Sequence, residues 1–257
     1  MGRRVESPSS INIYRQCPRR YYFQYIEKIP TRPSVHLARG SVAHKVFENI
    51  FSFIPKNKEE LYEYSLRLLK KYWDDDEFFK KDRHEEFFQE TSLMVINWLN
   101  QFTNKIDNLN MDFVEGFNFL KPKLIEEEYR SENYQVRGFI DVVEEVDGKI
   151  RLMDYKTSKL KPGISEDYKL QLGIYALLYN EKNQKKAENV GIYFLRGEEK
   201  ILDVDDRLVE FAKEEIKKVH DSTDSDQILD YGKNKGPLCN YCDFYDKCFG
   251  KKDLNDY

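Results

Sequence analysis

No stretch of the 257 residues stays apolar for the roughly 18–20 positions that a membrane-spanning helix needs. The start, Met1-Gly2-Arg3-Arg4-Val5-Glu6-Ser7-Pro8, lacks the apolar run of a secretory signal. A cytoplasmic protein with no membrane partner is therefore expected. Cysteine is scarce, at four residues. In a reducing compartment so few thiols serve better as metal ligands than as disulfides. A net basic charge is missing too. Lys and Arg number 42 against 46 Asp and Glu, a balance of −4, so the field of the whole molecule does not advertise nucleic-acid binding. No internal repeat is visible.

Aromatic residues are plentiful: 17 Phe, 18 Tyr and 2 Trp in a chain that is 40% hydrophobic. That is enough for a large core, and 257 residues suit one large domain or two small ones. Charge is unevenly placed. Residues 1–45 carry nine Lys or Arg and two Asp or Glu, whereas residues 74–90 are acidic. A basic face on a mildly acidic molecule is expected.

The densest chemistry lies between Gly138 and Lys156. Residues 134–145 and 149–155 are rich in β-forming residues, and Asp147-Gly148 between them is a tight-turn signal. The spacing predicts a β-hairpin. Asp141 interrupts the apolar run Phe139-Ile140-Asp141-Val142-Val143. Asp154 and Lys156 are two apart and so share one face of their strand. Taken alone they are also an ordinary charge pair at a strand end. Two carboxylates and an ammonium in a sheet are costly to desolvate unless paired, and a divalent cation pairs them.

The rest of the chain supplies helices and further candidates. Ser7-Pro8 reads as a helix start, and Pro18 as the break between two short helices, with Cys17 at the break. Residues 30–40 read as a loop, with a helix from about Ser41. Ala43, Val46, Phe47, Ile50 and Phe51 give that helix a buried face. His44 borders the face, as a hydrogen-bonded histidine or as a metal ligand. Residues 57–110 read as helical, an insertion or cap in which Phe78-Phe79 and Phe87-Phe88 pack or, as the alternative, stack on bases. A strand is expected over 123–130, with Glu126 or Glu128 able to face the hairpin. Helices are expected from Tyr168 and over 207–219, and strands over 189–196 and 200–204. Gln171 and Tyr175, four apart, lie on one helical face.

Near the C-terminus stands Cys239-Asn240-Tyr241-Cys242, followed by Cys248. Paired cysteines with two residues between them present both sulfurs to one metal centre. Three cysteines lack a fourth ligand, and the one remaining cysteine is Cys17. Four thiolates suit zinc or an iron–sulfur cluster equally.

Taken in order, Cys17-Pro18, Gly40 to His44, Gly138 to Asp141, Asp154-Tyr155-Lys156-Thr157, Gln171 with Tyr175 and the final three cysteines resemble the RecB-like branch of the PD-(D/E)XK nuclease superfamily. The match is closest to CRISPR-associated exonucleases and AddB-type nuclease domains that carry an iron–sulfur cluster. The motifs span residues 7–249. The resemblance implies an α/β fold with a mixed sheet flanked by helices, a restriction-endonuclease-like core. It implies one nuclease domain over 1–257, with a helical insertion near 57–110 and a cysteine region at 237–250. His44, Asp141, Asp154 and the Tyr155 carbonyl would hold Mg²⁺ or Mn²⁺. Lys156 would orient or activate water, and Gln171 and Tyr175 would shape the site. Cys17, Cys239, Cys242 and Cys248 would ligate a four-iron four-sulfur cluster joining the chain ends. The implied substrate is DNA, as single-stranded or duplex ends, with a CRISPR integrase or a helicase as partner, in CRISPR adaptation or DNA repair. Arg15, Arg19, Arg20, Arg32 and Arg39 are expected to line a basic groove. A helical insertion shaped as an arch would thread a single-stranded end. Two other readings stand beside this one. The chain could be a nucleic-acid-binding partner subunit with a structural cluster, or a cysteine–metal scaffold whose carboxylate hairpin is merely structural.

Overall fold

The computed structural model describes residues 4–146, 148–159 and 162–250. Two short helices open the chain, α1 (Pro8–Gln16) and α2 (Pro18–Tyr21). Ser7 caps α1 through its side chain, and the extended Cys17 separates the two where Pro18 forbids continuation. Helix α3 spans Val35–Asn49. It begins earlier than the sequence suggested, because the Ser34 side chain accepts the Leu37 N–H and starts the helix ahead of Gly40. Gly40 sits inside the helix rather than before it.

Helices α4 (Lys58–Asp75), α5 (Glu85–Asp107) and α6 (Phe113–Leu120) follow. Then come strands β1 (Leu124–Ser131), β2 (Val136–Val146) and β3 (Lys149–Lys156). The chain continues through α7 (Glu166–Asn183), β4 (Asn189–Phe194), β5 (Glu198–Asp203) and α8 (Asp206–Ser222), and closes the described part with α9 (Tyr245–Phe249). The expected hairpin is β2–β3. Of its turn, Gly148 takes a positive φ of 75°, which glycine tolerates without cost; Asp147 lies outside the described residues.

The five strands form one sheet in the order β1-β2-β3-β4-β5. Only β3 and β4 are parallel, and α7 is the crossover between them. Both faces are covered. On one, Ile140, Leu152, Ile192 and Phe194 pack with α7, α8 and α1. On the other, Val142, Met153, Tyr155 and Tyr193 pack with α3 to α6. The segment expected as an insertion or cap therefore contributes a layer of the core. Its paired phenylalanines do pack: Phe79 stacks on Trp73 at 3.8 Å and Phe88 meets it edge-on.

Candidate functional site

Strand alternation sends Met153 and Tyr155 into the α3–α6 layer and leaves Asp154 and Lys156 on the α7 side. The β2–β3 pairing runs inward from Val146 and Lys149 and stops at Val142 and Met153. The next pair in that register is Asp141 opposite Asp154. Beyond the last paired rung the Asp141 side chain replaces the ladder, and its Oδ2 accepts the Tyr155 N–H at 2.7 Å. Both carboxylates are buried, Asp154 to 1% and Asp141 to 7% exposure.

Helix α7 supplies the partners of Asp154. Gln171 Nε2 donates to Oδ1 at 2.7 Å, and the Tyr175 hydroxyl stands 3.3 Å from the same oxygen. Gln171 also donates to that hydroxyl at 2.7 Å. The four-residue spacing thus puts two side chains on one carboxylate oxygen. Lys156 Nζ approaches the other oxygen, Oδ2, at 2.6 Å. Oδ2 is thus held by the Lys156 ammonium and takes no hydrogen bond from any other group among the described residues. Burial pushes the Asp154 carboxyl up to about 6, against the opposing pull of Lys156. Burial also disfavours the Lys156 ammonium, but Asp154 and Asp141 outweigh it and its pKa is raised.

From the opposite layer α3 brings His44, whose Nδ1 lies 3.3 Å from Asp141 Oδ2. Burial works against its protonation, yet the contact with Asp141 prevails and raises its pKa. From β1 comes a residue that the sequence left unplaced. Glu126 lies opposite Asp141 in the register set by Ile125–Val142 and Glu127–Ile140. It has a left-handed φ of 50°, uncommon for a residue with a side chain. Ligand atoms of His44, Glu126 and Asp141 lie within 4.8 Å of one another. Glu126 is pushed up by burial first and by Asp141 second, as expected of carboxylates gathered without a cation. Glu128, the alternative, is exposed and pairs with Arg137 at 3.4 Å. Alternation could propose the two glutamates, but only the strand register separates them.

The donor set suits a hard divalent cation: one imidazole, two clustered carboxylates and, beside them, the Asp154 carboxylate that Lys156 pairs with. The Tyr155 side chain takes no part, since it packs against Phe47 and Trp98 on the far face. Only its backbone belongs to the site.

Three of the five arginines expected to line a basic groove are engaged within the protein. Arg15 is held by Glu215 at 2.9 Å and Asp167 at 3.4 Å. Arg19 donates to the Tyr231 carbonyl at 2.8 Å. Arg39 is buried and shared between Glu90 and the Thr157 carbonyl. These cations stitch elements together, because a guanidinium that finds acceptors inside the protein is no longer free for phosphate.

The four cysteines, 17 at one end and 239, 242 and 248 at the other, line one small cavity. All are free thiols. The chain ends are held there by Tyr21, Tyr22, Phe23, Tyr231 and Phe244, which form their own buried cluster. The Asn234 amide donates to the Gln16 carbonyl at 3.0 Å, closing the same junction. Burial raises the Cys248 pKa, and Cys17 and Cys242 nearby raise it further. No bound cluster follows from this convergence alone.

The sequence profile of the PD-(D/E)XK nuclease superfamily matches residues 6–249. The gene 69 protein of Mycobacterium phage L5 is 26% identical over 236 residues, covering 77% of this chain and 78% of its own length. The gene 69 protein of Mycobacterium phage D29 is 28% identical over 216 residues, 75% of each chain. A crystal structure from Eubacterium rectale, of a protein named as a candidate exonuclease, shares the fold. It has a TM-score of 0.54 and 13% identity, and the match covers 93% of this chain and 86% of that one. The profile spans nearly the whole chain, and the chain belongs to the PD-(D/E)XK nuclease superfamily.

Proposed function

We propose that the protein is a divalent-metal-dependent DNA exonuclease. The observation that carries this reading is the convergence of His44, Glu126 and Asp141 beside the buried pair of Asp154 and Lys156. Mg²⁺ or Mn²⁺ would be held by His44, Glu126, Asp141 and Asp154, with the Tyr155 carbonyl. Bound there, the cation would neutralise charge on the scissile phosphate and acidify a water.

The protein groups divide the remaining work. Gln171 and Tyr175 fix Asp154 through Oδ1, and Oδ2, which faces the Lys156 ammonium, is the oxygen that would ligate. Lys156 stays protonated beside two carboxylates. It therefore acts as a charge that orients the water and balances the developing negative charge, rather than as a base. His44 must lose its proton to ligate, so metal and proton compete for it. The exonuclease assignment is supported by the shared fold with the Eubacterium rectale protein.

The cysteines are proposed to hold a four-iron four-sulfur cluster. A zinc ion with Zn–S bonds of about 2.3 Å needs sulfurs about 3.8 Å apart. Among the described residues no three of these sulfurs lie within 4.8 Å of one another. What supports a centre there is the four thiols on one cavity, and the choice of cluster rests on the family resemblance. Neither the fold nor the relatives point to a CRISPR integrase or a helicase, and the reading does not include one.

The test is cleavage of end-labelled single-stranded and duplex DNA with Mg²⁺ or Mn²⁺, using anaerobically purified protein beside Lys156→Ala. Stepwise loss from one end, abolished in the variant, is expected. DNA binding without turnover, with iron and sulfide present, would replace the enzyme with a partner subunit.

A further inference from the structure

The two parallel strands β3 and β4 end together at Lys156 and Phe194. In open α/β sheets ligands gather outside the carboxyl ends of the strands. The residues that leave both ends here carry positive charge. Lys159 follows β3, and Arg196 stands in the turn after β4. The Leu195 N–H donates to the Lys156 carbonyl at 2.9 Å, so Arg196 is fixed one residue from a backbone contact with Lys156. A third cation comes from α3, where Arg39 reaches the Thr157 carbonyl at 3.4 Å. Arg39 is five residues from His44, about 7.5 Å along the helix axis. That is the rise of about two stacked nucleotides at about 3.4 Å each.

These three cations share one carboxylate. Glu90 Oε2 accepts from Arg39 at 3.0 Å and from Arg196 at 2.8 Å. Among the described residues neither guanidinium has a second carboxylate partner, and Lys159 forms no ion pair. Lys159 still acts on Glu90 through its charge, so three positive groups face one negative group. The two guanidiniums also repel each other: burial lowers the Arg39 pKa, and Arg196 lowers it further. Arg39 is committed, with 6% of its side chain exposed, whereas Arg196 is 31% exposed. A guanidinium has five N–H donors, and the one acceptor given to Arg196 among the described residues is that Oε2. Spare donors and an excess of positive charge, in a molecule of net charge −4, suit an anion with several acceptor oxygens.

We propose that Arg196, seconded by Lys159, binds a backbone phosphate of a single DNA strand, one or two nucleotides from the bond held at Asp154 and Lys156. Arg39 keeps its place between Glu90 and the Thr157 carbonyl. Glu90 holds Arg196 until the phosphate arrives and competes with it for the guanidinium. The choice of a phosphodiester rests on the nuclease reading, which supplies that substrate.

The test is binding of fluorescent single-stranded oligonucleotides to the full chain in chelator, read by anisotropy across a salt series. Arg196→Gln should weaken binding by about tenfold, equally for oligonucleotides of different sequence. It should also flatten the slope of log affinity against log salt by about 0.7. Arg196→Lys, which keeps the charge, should keep the slope. Glu90→Gln breaks the same ion pair and that of Arg39 as well, so it should lower the melting temperature at least as far as Arg196→Gln does. It should nonetheless bind DNA as tightly as the wild type or tighter, because a carboxylate that competes with phosphate has gone. An arginine that only stitches α5 to the turn after β4 would not give that split. Three results would each overturn the proposal: no binding of DNA to the wild type, an unchanged affinity and slope in Arg196→Gln, or an equal loss of binding in Glu90→Gln. Because binding is read without metal, a protein that bound DNA in this way and cut none would end the nuclease reading and leave this one standing.

Discussion

The molecule brings residues of metal-ligating type together in two places, and it builds them differently. The carboxylate site is held by directed hydrogen bonds. Gln171 and Tyr175 fix one oxygen of Asp154, and the Tyr155 amide fixes Asp141. The cysteine cavity is held by its surroundings, an aromatic cluster and backbone bonds such as Arg19 N–H to the Gly232 carbonyl at 2.9 Å. Its four sulfurs carry no comparable network among themselves. The first place is preorganised and should tolerate loss of its ion without losing the fold. The second joins residue 17 to residues 239–248, so its occupant should matter chiefly to stability.

The largest effect that would break this contrast is at Asp154. Asp154→Asn keeps the shape and removes the charge. Cleavage of labelled DNA should fall by about 10²–10³-fold or more. The metal-free melting temperature should fall, since the Lys156 ammonium loses the carboxylate it pairs with at 2.6 Å. A lowered melting temperature with cleavage retained would mean that Asp154 is structural.

Cys17→Ser should act chiefly on stability. Bound iron and sulfide should be lost on chemical assay. If the centre contributes even about 3 kcal/mol, the melting temperature should fall by roughly 6–12 °C. An unchanged melting temperature would end the idea of a staple.

Glu126→Gln tests the ligand that only the register revealed. Mn²⁺ affinity, read by titration, should weaken by no less than the about 10–100-fold that loss of a supporting partner costs. Gln171→Ala, which removes such a partner, should cost about 10–100-fold in metal affinity or activity, with little change in stability. Equal effects of the two would demote Glu126 to the supporting role.

The smallest effect is in pH. The folded-state pKa of Asp154 lies near 6, above its ordinary value of 3.8. Between those values the folded protein keeps a proton that the unfolded chain has released. The stability of the metal-free protein should therefore decline as pH rises through that window. Ionised Asp154 is the metal-binding form, and His44 must be neutral. The rise in melting temperature on adding Mn²⁺ should thus be small near pH 5 and larger near pH 7.5. Equal shifts at the two pH values would exclude Asp154 as a ligand.

Much of the local structure was legible before any coordinates. Strand alternation separated Asp154 and Lys156 from Tyr155, Pro18 marked the break between α1 and α2, and helical spacing paired Gln171 with Tyr175. The start of α3 was missed because Gly40 reads as a helix breaker, whereas the Ser34 cap decides the boundary. The arginines of the N-terminal segment read as a basic groove because sequence records charge and not partners. Glu215 and Asp167, which occupy Arg15, are some 200 and 150 positions away.

The sequence by itself determined which residues are candidates for chemistry and what local element most of them would sit on, because turn, cap and periodicity rules act over a few neighbouring positions. The tertiary structure alone decided which of them meet. Register placed Glu126, and not Glu128, opposite Asp141. Packing on both faces of one sheet brought His44 of α3 and Gln171 of α7 to the same two carboxylates. The closing of the chain ends gathered four thiols around one cavity. These are long-range contacts, set by how the apolar faces fit, and no short window of sequence records that fit.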